Sequence, residues 1–131
     1  MKDKAPRTMQ PPKGEPWVKL ARDLIASDAW SSLGINARRL LDFLMLEHMG
    51  RGGKHNGELK APRRQLEAHG IGARYVTDAI QEAEVHGLID CRRGGMRVAG
   101  LYSLTWLPLH DGTPRQRVEA GDAHPTSPAV D

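Results

Sequence analysis

The strongest constraint on this chain is a three-residue interruption, Gly70-Ile71-Gly72, set between two short stretches with helical apolar spacing. Upstream, Pro62 stands where a first helical residue belongs, and Leu66 and Ala68 supply an apolar side before Gly70 stops the helix. Downstream, from Ala73, the residues Val76, Ala79, Ile80 and Ala83 return to one face until Gly87. So short a connection implies two closely packed helices, and Gly70 can adopt the positive φ that reverses the chain between them. Leu66, Ile71, Val76 and Ile80 are the expected small core that fixes their angle.

The flanking sequence extends the pattern. Trp17 to Trp30, with Leu20, Leu24 and Ile25, reads as one or two short helices after a strand-like start. Asn36 is a good N-cap for an amphipathic helix over 37–49, where Leu40, Leu41, Leu44, Met45 and His48 recur at three- and four-residue spacing before Gly50. Residues 51–57 read as a flexible basic loop and 58–60 as a short strand. After Gly87, Leu88 to Cys91 looks like a strand and Arg92-Arg93-Gly94-Gly95 like a turn. Val98 to Trp106 looks like a returning strand, with Leu101 and Ser103 alternating against Tyr102 and Leu104. Trp30 and Trp106 are expected as core anchors, Trp17 as a contact docking the N-terminal arm, and Cys91 as a buried or half-buried strand residue. The expected class is α+β, mostly α.

Composition agrees. Aromatic residues make up 5% of the chain, too few for the usual sandwich or barrel. Residues 1–16 and 110–131 are proline-rich and polar, so a disordered basic arm and a disordered tail are expected around one domain at 17–109. The net charge is +3, and its distribution says more than its size. Lys and Arg outnumber Asp and Glu by 13 to 10 in the domain and by 4 to 2 in the arm, but trail 2 to 4 in the tail. No run is apolar enough for a membrane span, no apolar stretch follows Met1-Lys2-Asp3-Lys4, and the lone Cys91 suits a reducing compartment. A cytoplasmic, nucleoid-associated protein is expected.

Catalytic chemistry finds no foothold. Gly50 to Gly57 lacks the Lys-Ser/Thr ending of a phosphate loop, and there is no Ser-His-Asp constellation or pair of carboxylates in an apolar setting. His48 and His55 lie seven apart, His69 and His86 fall on different elements, and Cys91 has no thiol neighbour, so no zinc spacing occurs. Neither a cofactor nor a metal is expected.

The run Pro62-Arg63-Arg64-Gln65-Leu66-Glu67-Ala68-His69-Gly70-Ile71-Gly72-Ala73-Arg74-Tyr75-Val76-Thr77-Asp78-Ala79-Ile80 resembles a helix-turn-helix unit. Ala83 to Ile89 and Leu101 to Trp106 are similar to the helix end and returning strand of winged-helix regulators, of the small kind found on bacterial phages, plasmids and integrated elements. The resemblance covers roughly 31–108.

It implies a winged helix-turn-helix protein that binds double-stranded DNA, without enzymatic activity. With Val76 inward, Arg74, Asp78, Gln81 and Val85 fall nearly opposite, flanked by Tyr75, Thr77 and Glu82. Arg74 and Gln81 suit guanine and adenine edges, while Tyr75 and Thr77 suit phosphate or a thymine methyl; Ala73 and Asp78 share the same helix. Arg63 and Arg64 suit phosphate clamping, and Arg92, Arg93 and Arg97 would bracket a wing tip facing the backbone or minor groove. Arg51 and Lys54 add a basic loop. Two features depart from the family pattern: Gly72 offers no capping side chain, and Asp78, Glu82 and Glu84 would repel phosphate. A transcriptional regulator is the leading expectation. A replication-initiation or excision accessory factor of a mobile element, and a protein-binding adaptor using the same surface, stay open. So do a monomer and a homodimer through 20–49.

Overall fold

The computed structural model describes residues 16–93 and 100–109. It is α+β and mostly helical: several helices, with a two-stranded antiparallel hairpin packed against them. The helices are α1 (Arg22–Ala26), α2 (Asp28–Ser31), α3 (Ile35–Gly50), α4 (Arg63–Ala68) and α5 (Val76–Val85), the last preceded by a 3-10 turn at Ala73–Tyr75. Strands β1 (Ile89–Arg92) and β2 (Leu101–Leu104) pair with Ile89 opposite Leu104 and Arg92 opposite Leu101. The arm expected to be disordered at 1–16 lies, all but Pro16, outside the described residues, as do the tail expected to be disordered at 110–131, the hairpin tip and Arg97.

α3 is the central helix because its buried residues hold one face over about three turns. Ala37, Leu40, Leu41, Leu44 and His48 are all buried, at i, i+3, i+4, i+7 and i+11. Each leucine so buried contributes roughly 1.5–3 kcal/mol relative to an exposed one. α5 packs most extensively against this helix and buries Val76, Ala79 and Ala83, whose small side chains suit close packing between helices. Leu66, Ile71 and Val76 are buried as the sequence implies, and Ile80 is partly buried against them. Ala68 is exposed, so α4 contributes only Leu66 to the core.

Several boundaries differ from the sequence expectation for identifiable reasons. α3 begins at Ile35, not after Asn36, with Gly34 as its N-cap, and the Gly34 N–H is taken up by a distant group, the Glu82 carboxylate of α5, at 2.6 Å. At its other end the helix runs through Gly50. The Ala73 stretch opens as a 3-10 turn, closed by the Tyr75 N–H to the Gly72 carbonyl at 2.8 Å, and only then becomes α-helical. Pro62 is the N-cap of α4 and not its first residue. In the Trp17–Trp30 stretch only Leu24 and Trp30 are buried among the large apolar residues, while Leu20 and Ile25 are exposed. Ser27 makes two helices of this stretch: its hydroxyl donates to the Leu24 carbonyl at 2.6 Å and accepts the Trp30 N–H at 3.2 Å, ending α1 and capping α2.

Trp30 and Trp106 meet edge to face with centroids 5.9 Å apart, Trp30 buried and Trp106 half-buried. Trp17 is 58% exposed, which removes it from the core of the described residues.

The loop at 51–57 is tied down, contrary to expectation. Asn56 is 1% exposed and its side-chain amide serves the outer edge of β2: Oδ1 accepts the Leu104 N–H at 2.7 Å and Nδ2 donates to the Leu104 carbonyl at 2.9 Å. The expected strand at 58–60 reduces to one bridge, in which Leu59 and Tyr102 exchange backbone hydrogen bonds. Together Leu59 and Asn56 occupy an edge that would otherwise be open to pairing. Ser103 is buried along with Tyr102 and Leu104, so β2 lacks the expected alternation.

Candidate nucleic-acid interface

The connection between α4 and α5 is compact and pinned from outside. Gly70 has φ +112°, a conformation that side-chain-bearing residues rarely adopt. The Ile71 N–H reaches back to the Leu66 carbonyl at 3.1 Å, which turns Ile71 into the core. Arg39 of α3 donates from Nη1 to the Gly70 carbonyl at 2.9 Å, and so fastens the turn to the central helix. Nothing in the periodicity of α3 announced this contact.

With Val76, Ala79 and Ala83 buried, the residues Ala73, Arg74, Tyr75, Thr77, Asp78 and Gln81 are all exposed. Val85 continues this exposed side at 82% exposure. Arg74 lies over the Tyr75 ring, 5.6 Å from its centroid, a contact worth about 0.5–1 kcal/mol at an exposed site. Arg63 crosses from α4 and donates from Nη1 to the Thr77 hydroxyl at 3.1 Å, so it stands directly beside the exposed face of α5. Arg64 is exposed on α4, and Arg92 is exposed at the end of β1.

Arg93 reaches α5 from the other side. Its guanidinium forms a two-pronged ion pair with Glu84, Nη2 to Oε1 at 2.8 Å and Nη1 to Oε2 at 3.3 Å, and this partner holds it all the more firmly protonated. Arg51 instead donates to the Glu58 carbonyl at 3.0 Å, which places it with the exposed Lys54 on the loop along the outer edge of β2. Arg63, Arg74 and Arg93 therefore gather around α5, while Arg51 and Lys54 belong to that separate loop.

The acidic residues of this helix are not equivalent. Glu82 is held on the Gly34 amide and Glu84 on Arg93, which leaves Asp78 as the exposed carboxylate of the α5 face. The spacing of charges along the helix could not reveal that difference, since both partners come from other elements.

Between α5 and the base of the hairpin lies a cleft of about 280 Å³ lined by Thr77, Ile80, Gln81, Cys91, Arg93, Gly100 and Tyr102. Burial pushes the Cys91 thiol above its ordinary range, partly offset by its hydrogen bond to Tyr102, and pushes the Tyr102 hydroxyl up to about 12. Both groups stay protonated near neutrality, so Cys91 is poorly suited to act as a nucleophile. Among the described residues no group of three or more His, Cys, Asp or Glu side chains could hold a metal ion. Nor is any described helix long and apolar enough to cross a membrane.

No protein-family model, no characterised protein and no solved structure matches this chain.

Proposed function

We propose that this chain is a winged helix-turn-helix protein that binds double-stranded DNA, α5 lying in the major groove and the hairpin along the backbone or in the minor groove. One observation carries this reading: α5 buries Val76, Ala79 and Ala83 and leaves Thr77, Asp78 and Gln81 outward, with Arg74 exposed on the 3-10 turn that leads into it and Arg63 and Arg93 on its flanks. The central side chains have the chemistry of base edges. Arginine pairs with guanine O6 and N7, glutamine with adenine N6 and N7, and a carboxylate accepts from cytosine N4. The flanking arginines have the chemistry of phosphate contacts, which set position and carry no sequence information. A helix that enters a groove must also hold its angle, and the Arg39 contact at Gly70 together with the buried Leu66, Ile71 and Val76 supplies that rigidity.

Sequence-selective binding of this kind suits a transcriptional regulator. The engagement of Glu82 and Glu84 with partners inside the fold also weakens the case for an adaptor that presents an acidic helix to another protein.

Fluorescence anisotropy on random-sequence duplex DNA across a salt series tests the reading. Affinity should fall steeply with salt as phosphate contacts release counterions. Absence of binding at low salt would overturn DNA binding and return attention to a protein partner.

A further inference from the structure

We infer that Glu84 is an internal competitor for DNA phosphate, holding Arg93 on α5 until the backbone takes its place. The inference rests on the DNA-binding reading and deepens it by assigning a role to a residue outside the base-reading face. Three features support it. The pair has the geometry of an arginine-phosphate contact, two parallel N–H donors on two anionic oxygens, at 2.8 and 3.3 Å. The Arg93 side chain is 61% exposed and that of Glu84 25%, so an incoming anion can reach the guanidinium without disturbing the core. Arg93 also lines the same cleft as Thr77 and Gln81, which puts the ion pair beside the face of α5 assigned to the groove.

The physical consequence follows from exposure. A solvent-exposed ion pair contributes little to stability, so exchanging one carboxylate for one phosphate is cheap. It still has a cost on every duplex alike, because the freed carboxylate must be resolvated or must recruit a cation from solution. Phosphate contacts supply nearly all non-specific binding. Glu84 therefore lowers affinity for every DNA by one common factor and leaves the base contacts by Arg74 and Gln81, and with them the ratio between sites, untouched.

The experiment is a double-mutant cycle of Glu84→Gln and Arg93→Gln in the full chain, read by anisotropy on a short random-sequence duplex over a salt series, with thermal melting to verify folding. Glu84→Gln should bind about three- to tenfold tighter at low salt, with a log–log salt slope steeper by up to about 0.9, the contribution of one phosphate contact. That gain should vanish in the Arg93→Gln background. A gain that persists there would overturn the inference, because Glu84 would then act as bulk negative charge. Unchanged or weaker binding by Glu84→Gln, with the wild type still binding in a salt-dependent way, would overturn it while leaving the DNA reading intact; the pair would then be a strut for the hairpin. Failure of both the wild type and Glu84→Gln to bind would overturn the inference and the DNA reading together.

Discussion

Asn56 and Leu104, 48 residues apart, exchange a reciprocal pair of hydrogen bonds in which a side-chain amide takes the place of a neighbouring strand. The same Nδ2 lies 3.1 Å from the Leu107 carbonyl and 3.0 Å from that of Pro108, so one buried side chain gathers the whole exit from β2. Removing it strands buried backbone groups. Asn56→Ala should lower stability by about 1–3 kcal/mol for each group left unpaired. Asn56→Asp should cost at least as much, since it sets a carboxylate against those carbonyls. Urea denaturation checks both, and a variant as stable as the wild type would mean that water replaces the amide without loss.

Glu82 links the candidate recognition helix to the start of α3. Its carboxylate accepts the N–H of Gly34, the N-cap residue of α3, the bond that a carboxylate makes to that position in a capping box, and loss of one such hydrogen bond costs about 0.5–1.5 kcal/mol. Glu82→Ala should lower the unfolding free energy measured in urea by that amount, and Glu82→Gln, which keeps an acceptor oxygen, by less. Equal loss in both variants would assign the effect to charge and not to the hydrogen bond.

His48 makes the fold sensitive to acid. It is 93% buried by exposure (7% accessible), its Nδ1 has no hydrogen-bond partner among the described residues, and burial, with the neighbouring His55, holds its pKa below the ordinary 6.5. The unfolded chain therefore binds a proton more readily than the folded one. Stability is full above pH 6.5 and declines as pH falls below that value toward the lowered pKa of the folded state. Melting temperature followed from about pH 8 to about pH 5 should show this decline in the wild type, and His48→Leu should flatten it. An undiminished acid limb in that variant would shift the effect to other groups.

Arg74 tests base readout. Arg74→Ala should cost about 1–3 kcal/mol on a duplex selected for tight binding and distinctly less on a scrambled one. Competition titrations on both duplexes measure the difference. A uniform loss would place Arg74 on phosphate.

The order of the main helices and the hairpin, and most of the inward residues, were legible in the sequence by itself. Leu40, Leu41 and Leu44 on α3, Leu66 and Ile71 around the turn, and Val76, Ala79 and Ala83 on α5 are buried where apolar periodicity put them, and Gly70 has the positive φ its place between two helices required. Those signals are local: a residue within four positions of another shares a helical face with it, whatever the rest of the chain does. Tertiary structure decided the polar connections. The Gly34 N–H is held by Glu82 and Leu104 by Asn56, each from 48 residues away, and Arg93 is claimed by Glu84 from the adjacent helix. A lone polar side chain has no periodicity, and many backbone groups could satisfy it equally well. Its partner is settled only when packing of the apolar faces brings the two elements together and removes the water that would otherwise have served.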